Sequence, residues 1–556
     1  MTTSSDLPLL HPPFVTFLRH AVIAARSQQA EARALWLQAA THLHATDEDS
    51  IAEYVDILIN RSALTEALEV AECAAELYPQ GAAANFCLGY ALQMAGRHVD
   101  ALAPYHRAME CNADYPQLRS NLAVAIRLSG GVRKEELMLL ERAIQVHPLD
   151  CNAWINLVIA RRDAFDLAGA LEAGRRAVEL APQNPRAHNN YALALKEAQR
   201  WEEAEAHSLS ACRLAPDDAS YRHNLSILHL VRGNYSDGWI AHESRWSGSS
   251  ELRGALPLLS APQWQGEPLA GKTLLVWGEQ GMGDVLQFCR LIPLIAEKVH
   301  LEGGRIKWNT FPQLGTLLER SLGEHVDGFS VGGGIESLPS FDYHLPLISA
   351  ARVLGVLETA IPAPSPYLHA DPCRTALWRT RFAEERRLKV GLAWTGSPHH
   401  QRNPFRRVGW ERYAECLKEI DGVAFYSLQM GANIEVEAAR AVGFQIEDHS
   451  AQFATFDESA AFIGALDLVI TVCTSVAHLS GALGRPTWVL LDANPHWPWL
   501  LHRSDSPWYP SVRLYRQKKF GQWEHVMRKL GNDLRQYVCR GGRANSDRRV
   551  SGMPGA

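Results

Sequence analysis

The pattern of hydrophobic and small residues repeats along the first half of the chain. Three segments, "ERAIQVHP", "RRAVELAP" and "SACRLAP", end at Pro148, Pro182 and Pro216, which are 34 residues apart. Alanines recur at fixed offsets before these prolines, as at Ala170 and Ala177. Apolar helices that end at a proline, with alanine where a second helix approaches closely, predict stacked helix pairs over residues 50–245. Residues 1–49 are predicted to form a further helical segment.

The pattern changes after a Gly-, Pro- and Ser-rich stretch, which we interpret as a linker over residues 246–270. Short apolar runs follow, separated by segments typical of helices. The runs cover residues 273–277, 341–347, 389–394, 423–429, 468–474 and 487–492. Strands that alternate with helices predict parallel sheets covered on both faces. We therefore expect two Rossmann-like domains, 271–370 and 388–538, the second with a closing helix, and a disordered polar tail over 539–556.

Composition and charge narrow the classes of function. The 556 residues exceed what one hydrophobic core holds, so several domains are expected. A net charge of −6 gives no case for nucleic-acid binding, and no apolar run is long enough to span a membrane. The ten cysteines include no C-x-x-C pair, which argues against a zinc module or disulfide framework and for a reducing compartment. Since the N-terminus shows no secretory signal, we expect a cytoplasmic protein.

The first strand of the second half leads into a glycine-rich loop, "WGEQGMGDVLQF". The spacing of Gly278, Gly281 and Gly283 is G-x-x-G-x-G, which differs from the G-x-G-x-x-G of dinucleotide sites. The loop also ends in Asp284, a carboxylate that would repel a pyrophosphate but could take a proton from an incoming hydroxyl. The alternative interpretation is that Asp284 is a first-turn acid stabilised by the helix dipole.

A second strand end is followed by an arginine-rich loop, "AWTGSPHHQRNPFRR", which contains Arg402, Arg406 and Arg407. Arginine pairs with phosphate oxygens through several N–H groups, so this loop suits a diphosphate. The alternative is a solvated basic loop without a ligand. His399 and His400 are adjacent, which is poor geometry for two ligands of one metal ion, and no Asp-x-Asp pair is placed to hold a cation. We therefore expect no metal site.

A third strand end reads "TVCTSVAHLSGALGRP", and here a helix begins directly after the strand. Thr474 and Ser475 stand at the predicted start of the helix, where hydroxyls and free backbone N–H groups favour an anion. His478 falls in the first turn and could donate to the same anion. The alternatives are that Thr474 and Ser475 only cap the helix and that His478 is a structural histidine.

These motifs together resemble a known class of enzyme. "GEQGMGDVLQF", "VGLAWTGSP", "SLQMG", "ALDLVITVCTSVAHLSGALGRPTWVLL" and "SPWYPSVRLYRQ" resemble bacterial tetratricopeptide-repeat glycosyltransferases. The catalytic half is similar to lipopolysaccharide heptosyltransferases and, more distantly, to protein O-GlcNAc transferases. The resemblance implies an α-solenoid of tetratricopeptide repeats followed by a GT-B pair of Rossmann-like domains. It also implies inversion at the anomeric carbon without a metal ion, with the nucleotide-sugar held mainly by the C-terminal domain.

The resemblance also implies roles for single residues. Asp284 matches the acid that is proposed as the catalytic base, and it follows the glycine loop of Gly281 and Gly283. The residues that the resemblance places at the donor nucleotide are Arg406, Gln429, Thr474, Ser475 and His478. Relatives usually carry an acid where this chain has Cys473. The segment "DSPWYP", residues 505–510, also matches a family motif, but its residues alone suggest no role for it.

Three hypotheses follow for the function. In the first, the chain transfers a sugar to a protein acceptor that the repeat array selects, and the resemblance makes flagellin or another surface protein the expected acceptor. In the second, the acceptor is a lipopolysaccharide or another glycan. In the third, the chain is a protein-binding scaffold whose transferase half is inactive. The nucleotide-sugar is a co-substrate, so no cofactor is expected, and the repeats alone could instead be a spacer or a dimerisation element.

Overall fold

The computed structural model describes residues 13–252, 254–333, 337–362 and 366–542. Most of the tail that we predict to be disordered, and the first twelve residues of the N-terminal segment, therefore lie outside the described residues. The chain divides into two compact units, one up to Leu195 and one from Lys196 onward. Within the described residues, no helix is both long and apolar enough to cross a membrane.

The first unit consists of antiparallel helix pairs. Its helices are α1 Pro13–Arg26, α2 Ala30–Thr41, α3 Glu48–Asn60, α4 Leu64–Leu77, α5 Ala82–Met94, α6 His98–Cys111, α7 Leu118–Leu128, α8 Arg133–Val146, α9 Cys151–Asp163, α10 Leu167–Leu180 and α11 Pro185–Glu197, whose last two residues already belong to the second unit. Helices α8 and α10 end two residues before Pro148 and Pro182, as the repeat predicts. Ala170 and Ala177 are fully buried, and Gly174 lies so close to the Tyr191 ring that a Cβ atom would collide with it. Small residues thus let paired helices approach closely.

The second unit begins with the last helices of the repeat array. These are α12 Trp201–Leu214, α13 Ala219–Val231, α14 Tyr235–His242 and α15 Arg245–Gly248. The first Rossmann-like domain follows with β1 Thr273–Trp277, α16 Met282–Phe288, α17 Ile292–Leu301, β2 Arg305–Thr310, α18 Gly315–Leu322, β3 Gly328–Val331, β4 Tyr343–Pro346 and α19 Ala350–Val353.

The second Rossmann-like domain has more strands. Its elements are α20 Pro372–Arg381, β5 Leu388–Ala393, α21 Asn403–Arg406, α22 Trp410–Leu417, β6 Val423–Ser427, α23 Asn433–Ala441, β7 Ile446–Asp448, α24 Phe456–Gly464, β8 Leu468–Val472, α25 Ser475–Ala482, β9 Thr487–Leu491, β10 Val512–Arg516 and α26 Glu524–Cys539. Its core includes Val390, Leu392, Ile470 and Leu490, which are all fully buried on the central strands.

Both sheets are parallel throughout. The first has the strand order β3-β2-β1-β4, and the second has the order β10-β9-β8-β5-β6-β7. In register, Leu275 of β1 faces Lys307 of β2, and Val390 of β5 faces Leu468 of β8. The order reverses beside β1 in the first sheet and between β5 and β8 in the second. Ligands of such folds bind outside the carboxyl ends of the strands at these reversals. The fold class is therefore as predicted, a helical repeat array followed by two Rossmann-like domains.

Candidate functional site

The helices that follow the two strand reversals meet at their N-termini. A Cβ atom on Gly283, in the first turn of α16, would lie 3.3 Å from Cδ2 of His478 and 3.4 Å from Cα of Ser475. A side chain at this position would crowd the first turn of α25, so glycine favours the close approach of the two helices. The contact brings together the glycine loop of the first domain and the predicted anion site of the second.

Asp284 lies at this meeting point, in the third position of α16. Its Oδ2 accepts a hydrogen bond from the backbone N–H of Gly281 at 3.2 Å, which satisfies one free donor of the helix start. Burial raises the pKa of Asp284 to about 6; the Gly281 bond and the Arg406 charge oppose this rise, and the nearby Glu279 and Glu251 add to it. Asp284 is thus a carboxylate that is ionised near neutral pH yet basic enough to accept a proton.

Arg406 ends the short helix α21 in the loop after β5. Its guanidinium packs on Gly396, where a side chain would collide with it. After burial, the Arg406 charge is among the causes that lower the pKa of His478 and oppose the rise in the pKa of Cys473, so the cation lies near both side chains. Among the described residues, Arg406 forms no ion pair. It is therefore a cation without a protein counter-ion beside Asp284 and the start of α25.

The other two arginines of the loop have protein partners. Arg402 forms ion pairs with Glu197 at 2.5 Å and with Asp492 at 2.6 Å. Although burial opposes its charge, these two carboxylates raise the pKa of Arg402 above its usual range. Arg407 lies 3.7 Å from a carboxylate oxygen of Glu435. Arg402 is therefore structural, and Arg407 lies near a carboxylate. Of the three arginines, only Arg406 has no carboxylate partner among the described residues and is available for an anion.

Gln429, which the resemblance places at the nucleotide, acts on the backbone of the same loop. Its Oε1 accepts hydrogen bonds from the backbone N–H groups of Trp394, at 3.3 Å, and Thr395, at 3.1 Å. Asn403, which the sequence did not single out, accepts the N–H of Gly396 at 3.0 Å. Both amides therefore hold the turn after β5 that carries Arg406.

Thr474 and Ser475 begin α25 directly after β8. Thr474 occupies the N-cap position with extended backbone, φ −151° and ψ 175°, but its side chain makes no capping hydrogen bond. The Thr474 hydroxyl therefore does not cap the helix in this structure. The first-turn N–H groups receive no side-chain cap, and both residues are partly exposed.

His478 is buried among aromatic rings. Its Nδ1 is 2.9 Å from the hydroxyl of Tyr509, and its ring stacks on Trp499 with centroids 5.3 Å apart. Burial, followed by the charges of Arg290 and Arg406, lowers the pKa of His478 to about 3, so the ring is neutral at physiological pH. The segment "DSPWYP" thus lies beside the start of α25, because its Tyr509 contacts His478. The backbone carbonyl of its Trp508 accepts a hydrogen bond from Arg290 at 2.8 Å.

Cys473 is buried beside the same rings. Its sulfur accepts the indole N–H of Trp499 at 3.0 Å. Burial raises the pKa of its thiol, so the sulfur is uncharged. Cys473 is therefore a small neutral acceptor in the aromatic layer under the start of α25.

An ion pair that the sequence did not predict anchors the glycine loop. Arg245, which is fully buried at the start of α15, donates from Nε and Nη2 to the two carboxylate oxygens of Glu279 at 2.7 and 2.8 Å. The same guanidinium donates to Ser349 at 2.8 Å and to Glu243 at 3.1 Å, and Glu279 also accepts the N–H of Ile348 at 2.9 Å. The repeat-side arginine thus holds the loop five residues before Asp284.

Within the described residues, no group of three or more His, Cys, Asp or Glu side chains could hold a metal ion. The features above define the class of architecture, a helical-repeat protein whose second half carries two Rossmann-like domains with their strand-end loops facing one another.

The chain is similar to several known proteins. No family model matches it. It is 28% identical over 453 residues to Protein FlbA of Caulobacter vibrioides, a match that covers 76% of this chain and 73% of that protein. Among solved structures, it resembles a glycosyl transferase family 9 protein from Veillonella parvula, with 12% identity, a TM-score of 0.37, and coverage of 50% of this chain and 100% of that one. It also resembles YrrB, described as a TPR protein with an unusual peptide-binding site, with 20% identity, a TM-score of 0.26, and coverage of 32% and 91%.

Proposed function

We propose that the chain is a metal-independent, inverting glycosyltransferase that moves a sugar from a nucleotide-diphosphate donor to a protein acceptor. The contact of Gly283 with Ser475 and His478 carries this proposal. It places a carboxylate of raised pKa, Asp284, beside a helix N-terminus without a side-chain cap and beside Arg406, a cation without a counter-ion. One side of the contact suits a proton acceptor and the other suits an anionic leaving group.

The reaction follows from these two sides. An acceptor hydroxyl attacks the anomeric carbon of the sugar, its proton passes to the Asp284 carboxylate, and a new carbon–oxygen bond forms. The bond between the anomeric carbon and the diphosphate oxygen breaks on the opposite face, which inverts the configuration. The departing diphosphate gains negative charge, and Arg406 and the first-turn N–H groups of α25 stabilise it. Neutral His478 supports this turn from beneath, through Tyr509, and adds no charge.

The repeat array is proposed to select the acceptor. Stacked helix pairs of this type form an extended surface that suits a polypeptide. A surface protein such as flagellin remains the expected acceptor on the resemblance of the motifs. The cysteine spacing, which is typical of a reducing compartment, supports the proposal that the reaction occurs in the cytoplasm.

A second candidate function is a scaffold that binds proteins through its repeats and transfers no sugar. The observation that favours it is Cys473, which occupies a position where relatives usually have an acid. Its sulfur accepts the hydrogen bond that the Trp499 indole N–H donates, so this donor is satisfied without a carboxylate.

Calorimetric titration with uridine, guanosine and cytidine diphosphates tests the donor side. We expect one of the three to bind, and Arg406→Ala to weaken it by about 10- to 100-fold, the effect of losing a charge-assisted hydrogen bond. Arg407→Ala, which changes the neighbouring exposed arginine, is the control and should bind like wild type. Absence of binding to all three diphosphates supports the scaffold instead.

Incubation with nucleotide-sugars and a cell lysate tests the acceptor side. We expect a sugar-sized increase in the mass of a protein, which disappears with Asp284→Asn. Asp421→Asn removes an exposed carboxylate elsewhere in the same unit and should leave the mass shift intact. If Asp284→Asn transfers as fast as wild type, Asp284 is not the base.

A further inference from the structure

A cavity opens at the β10 edge of the six-stranded sheet. It has a volume of about 460 Å³, which lies within the range of small-molecule sites. The carboxyl ends of β9 and β10 form its floor, the loop 501–504 forms one wall, and the first turns of α26 form another. None of the residues proposed above to bind the donor or to act as base lines this cavity, so it is separate from the site already described.

The charge on its lining is strongly positive. Arg503, Arg516, Lys518 and Lys529 line it, whereas its one acidic lining residue is Asp492. The Asp492 carboxylate is already neutralised by Arg402 at 2.6 Å. Cationic groups therefore face this space with no free carboxylate among them.

Three of the four cations lack an acidic partner. Arg503 is paired with Asp505 at 2.7 Å. Arg516, Lys518 and Lys529 form no ion pair among the residues that the structure describes. Arg516 instead donates to backbone carbonyls, including that of Arg503 at 2.8 Å. Clustered cations that lack counter-ions raise the free energy of the protein, and a bound anion lowers it again.

A buried amide adds an independent indication of a ligand. Gln517, which also lines the cavity, is 3% exposed. Its Oε1 accepts the N–H of Gly521 at 3.2 Å, but its Nε2 has no hydrogen-bond partner among the described residues. Buried donors are nearly always paired in folded proteins. This unpaired donor belongs to a residue that lines the cavity beside the cations.

We propose that this cavity binds a small ligand through a phosphate or diphosphate group, at a site distinct from the donor diphosphate. Arg516 contacts the phosphate oxygens from the floor. Lys518 and Lys529 close over it from the rim. Asp492, which lines this cavity, forms an ion pair with Arg402 of the loop that also carries Arg406. This ion pair connects the cavity to the proposed donor site.

Calorimetric titration of inorganic pyrophosphate at low ionic strength tests the proposal on the full chain. Arg406→Ala is the background, because it weakens the proposed donor site and leaves this cavity intact. We expect pyrophosphate to bind this variant, and the added pair Lys518→Gln and Lys529→Gln to weaken binding at least tenfold. Lys519→Gln, an exposed neighbour outside the cavity, is the matched control and should change nothing.

Two results would overturn the proposal. One is absence of pyrophosphate binding to the Arg406→Ala variant, and the other is equal weakening by the Lys519 control and by the lysine pair. Lys518 and Lys529 are exposed, so their replacement leaves the fold intact. A parallel titration with uridine diphosphate then distinguishes a nucleotide from a free phosphate compound as the source of the group. The titration requires no transferase activity, so its failure and the failure of the proposed function are separate results.

Discussion

The ion pair between Arg245 and Glu279 yields the sharpest quantitative prediction. Arg245→Met keeps the length of the apolar stem but removes both bonds to Glu279, together with those to Ser349 and Glu243. Glu279 is 3% exposed, so its carboxylate would then keep only the N–H of Ile348. Removing one partner of a buried pair costs about 3–5 kcal/mol, because the other charge stays in a poorly solvating interior.

The cost converts into a measurable shift in melting temperature. The second unit has roughly 350 described residues, and an unfolding entropy of about 2 cal/mol/K per residue gives a loss of ~4–7 °C. Thermal unfolding followed by circular dichroism, with tryptophan fluorescence as a second probe, measures this loss. Arg387→Met removes an exposed pair with Glu385 in the same unit and should cost less than about 1 kcal/mol.

The pH dependence of the loss separates this account from simple loss of packing. Burial raises the pKa of Glu279, and Arg245 opposes that rise. Without Arg245 the folded-state pKa of Glu279 moves further above its unfolded value, so stability is lost as the pH rises through that interval. The melting deficit of Arg245→Met should therefore be larger at pH 8 than at pH 5. A deficit that is the same at both values, or that matches the Arg387→Met control, would refute the reasoning.

Two further predictions concern the site. Burial raises the pKa of Asp284 to about 6, so its ionised form costs folding free energy above that pH. In thermal unfolding, Asp284→Asn should therefore be more stable than wild type by about 1–2 kcal/mol at pH 8 and no more stable at pH 4. Equal stability at pH 8 would contradict the burial of this charge. Gln429→Leu leaves the N–H groups of Trp394 and Thr395 without their acceptor and should lower the free energy of unfolding by about 1–3 kcal/mol. Gln429→Glu keeps the acceptor and should keep most of the stability. Equal losses of the two variants in thermal unfolding would show that these hydrogen bonds contribute little.

The fold could be predicted where the pattern was local. The runs that became β1, β5, β6, β8 and β9 are continuously apolar because helices or loops cover these strands on both faces. Strand β2 was missed, since Ile306 and Trp308 alternate with Lys307 and Asn309 and only one face is buried. The alternation was present in the sequence, but a search for unbroken apolar runs does not find it.

The candidate site could be predicted only as far as strand ends reveal it. Asp284, Arg406 and Thr474 each follow a strand, and parallel sheets gather such positions at one edge. Their partners come from distant segments, as Tyr509 does for His478, so no spacing along the chain indicates them. Arg245 lies at the end of the predicted repeat array, and its partner Glu279 depends on how the last repeat helices pack on the first Rossmann-like domain.

The last repeat helices belong to the same compact unit as the two Rossmann-like domains. Tyr235 accepts the indole N–H of Trp508 at 3.0 Å, and Trp239 donates to the carbonyl of Val356 at 2.9 Å. Both rings are buried, as is Arg245. These buried contacts tie the repeat helices after residue 196 to the Rossmann-like domains, so these helices could not be exchanged for other repeats without breaking the contacts. A chimaera joined at the linker would therefore separate the glycine loop of the first Rossmann-like domain from Arg245, the arginine that holds it.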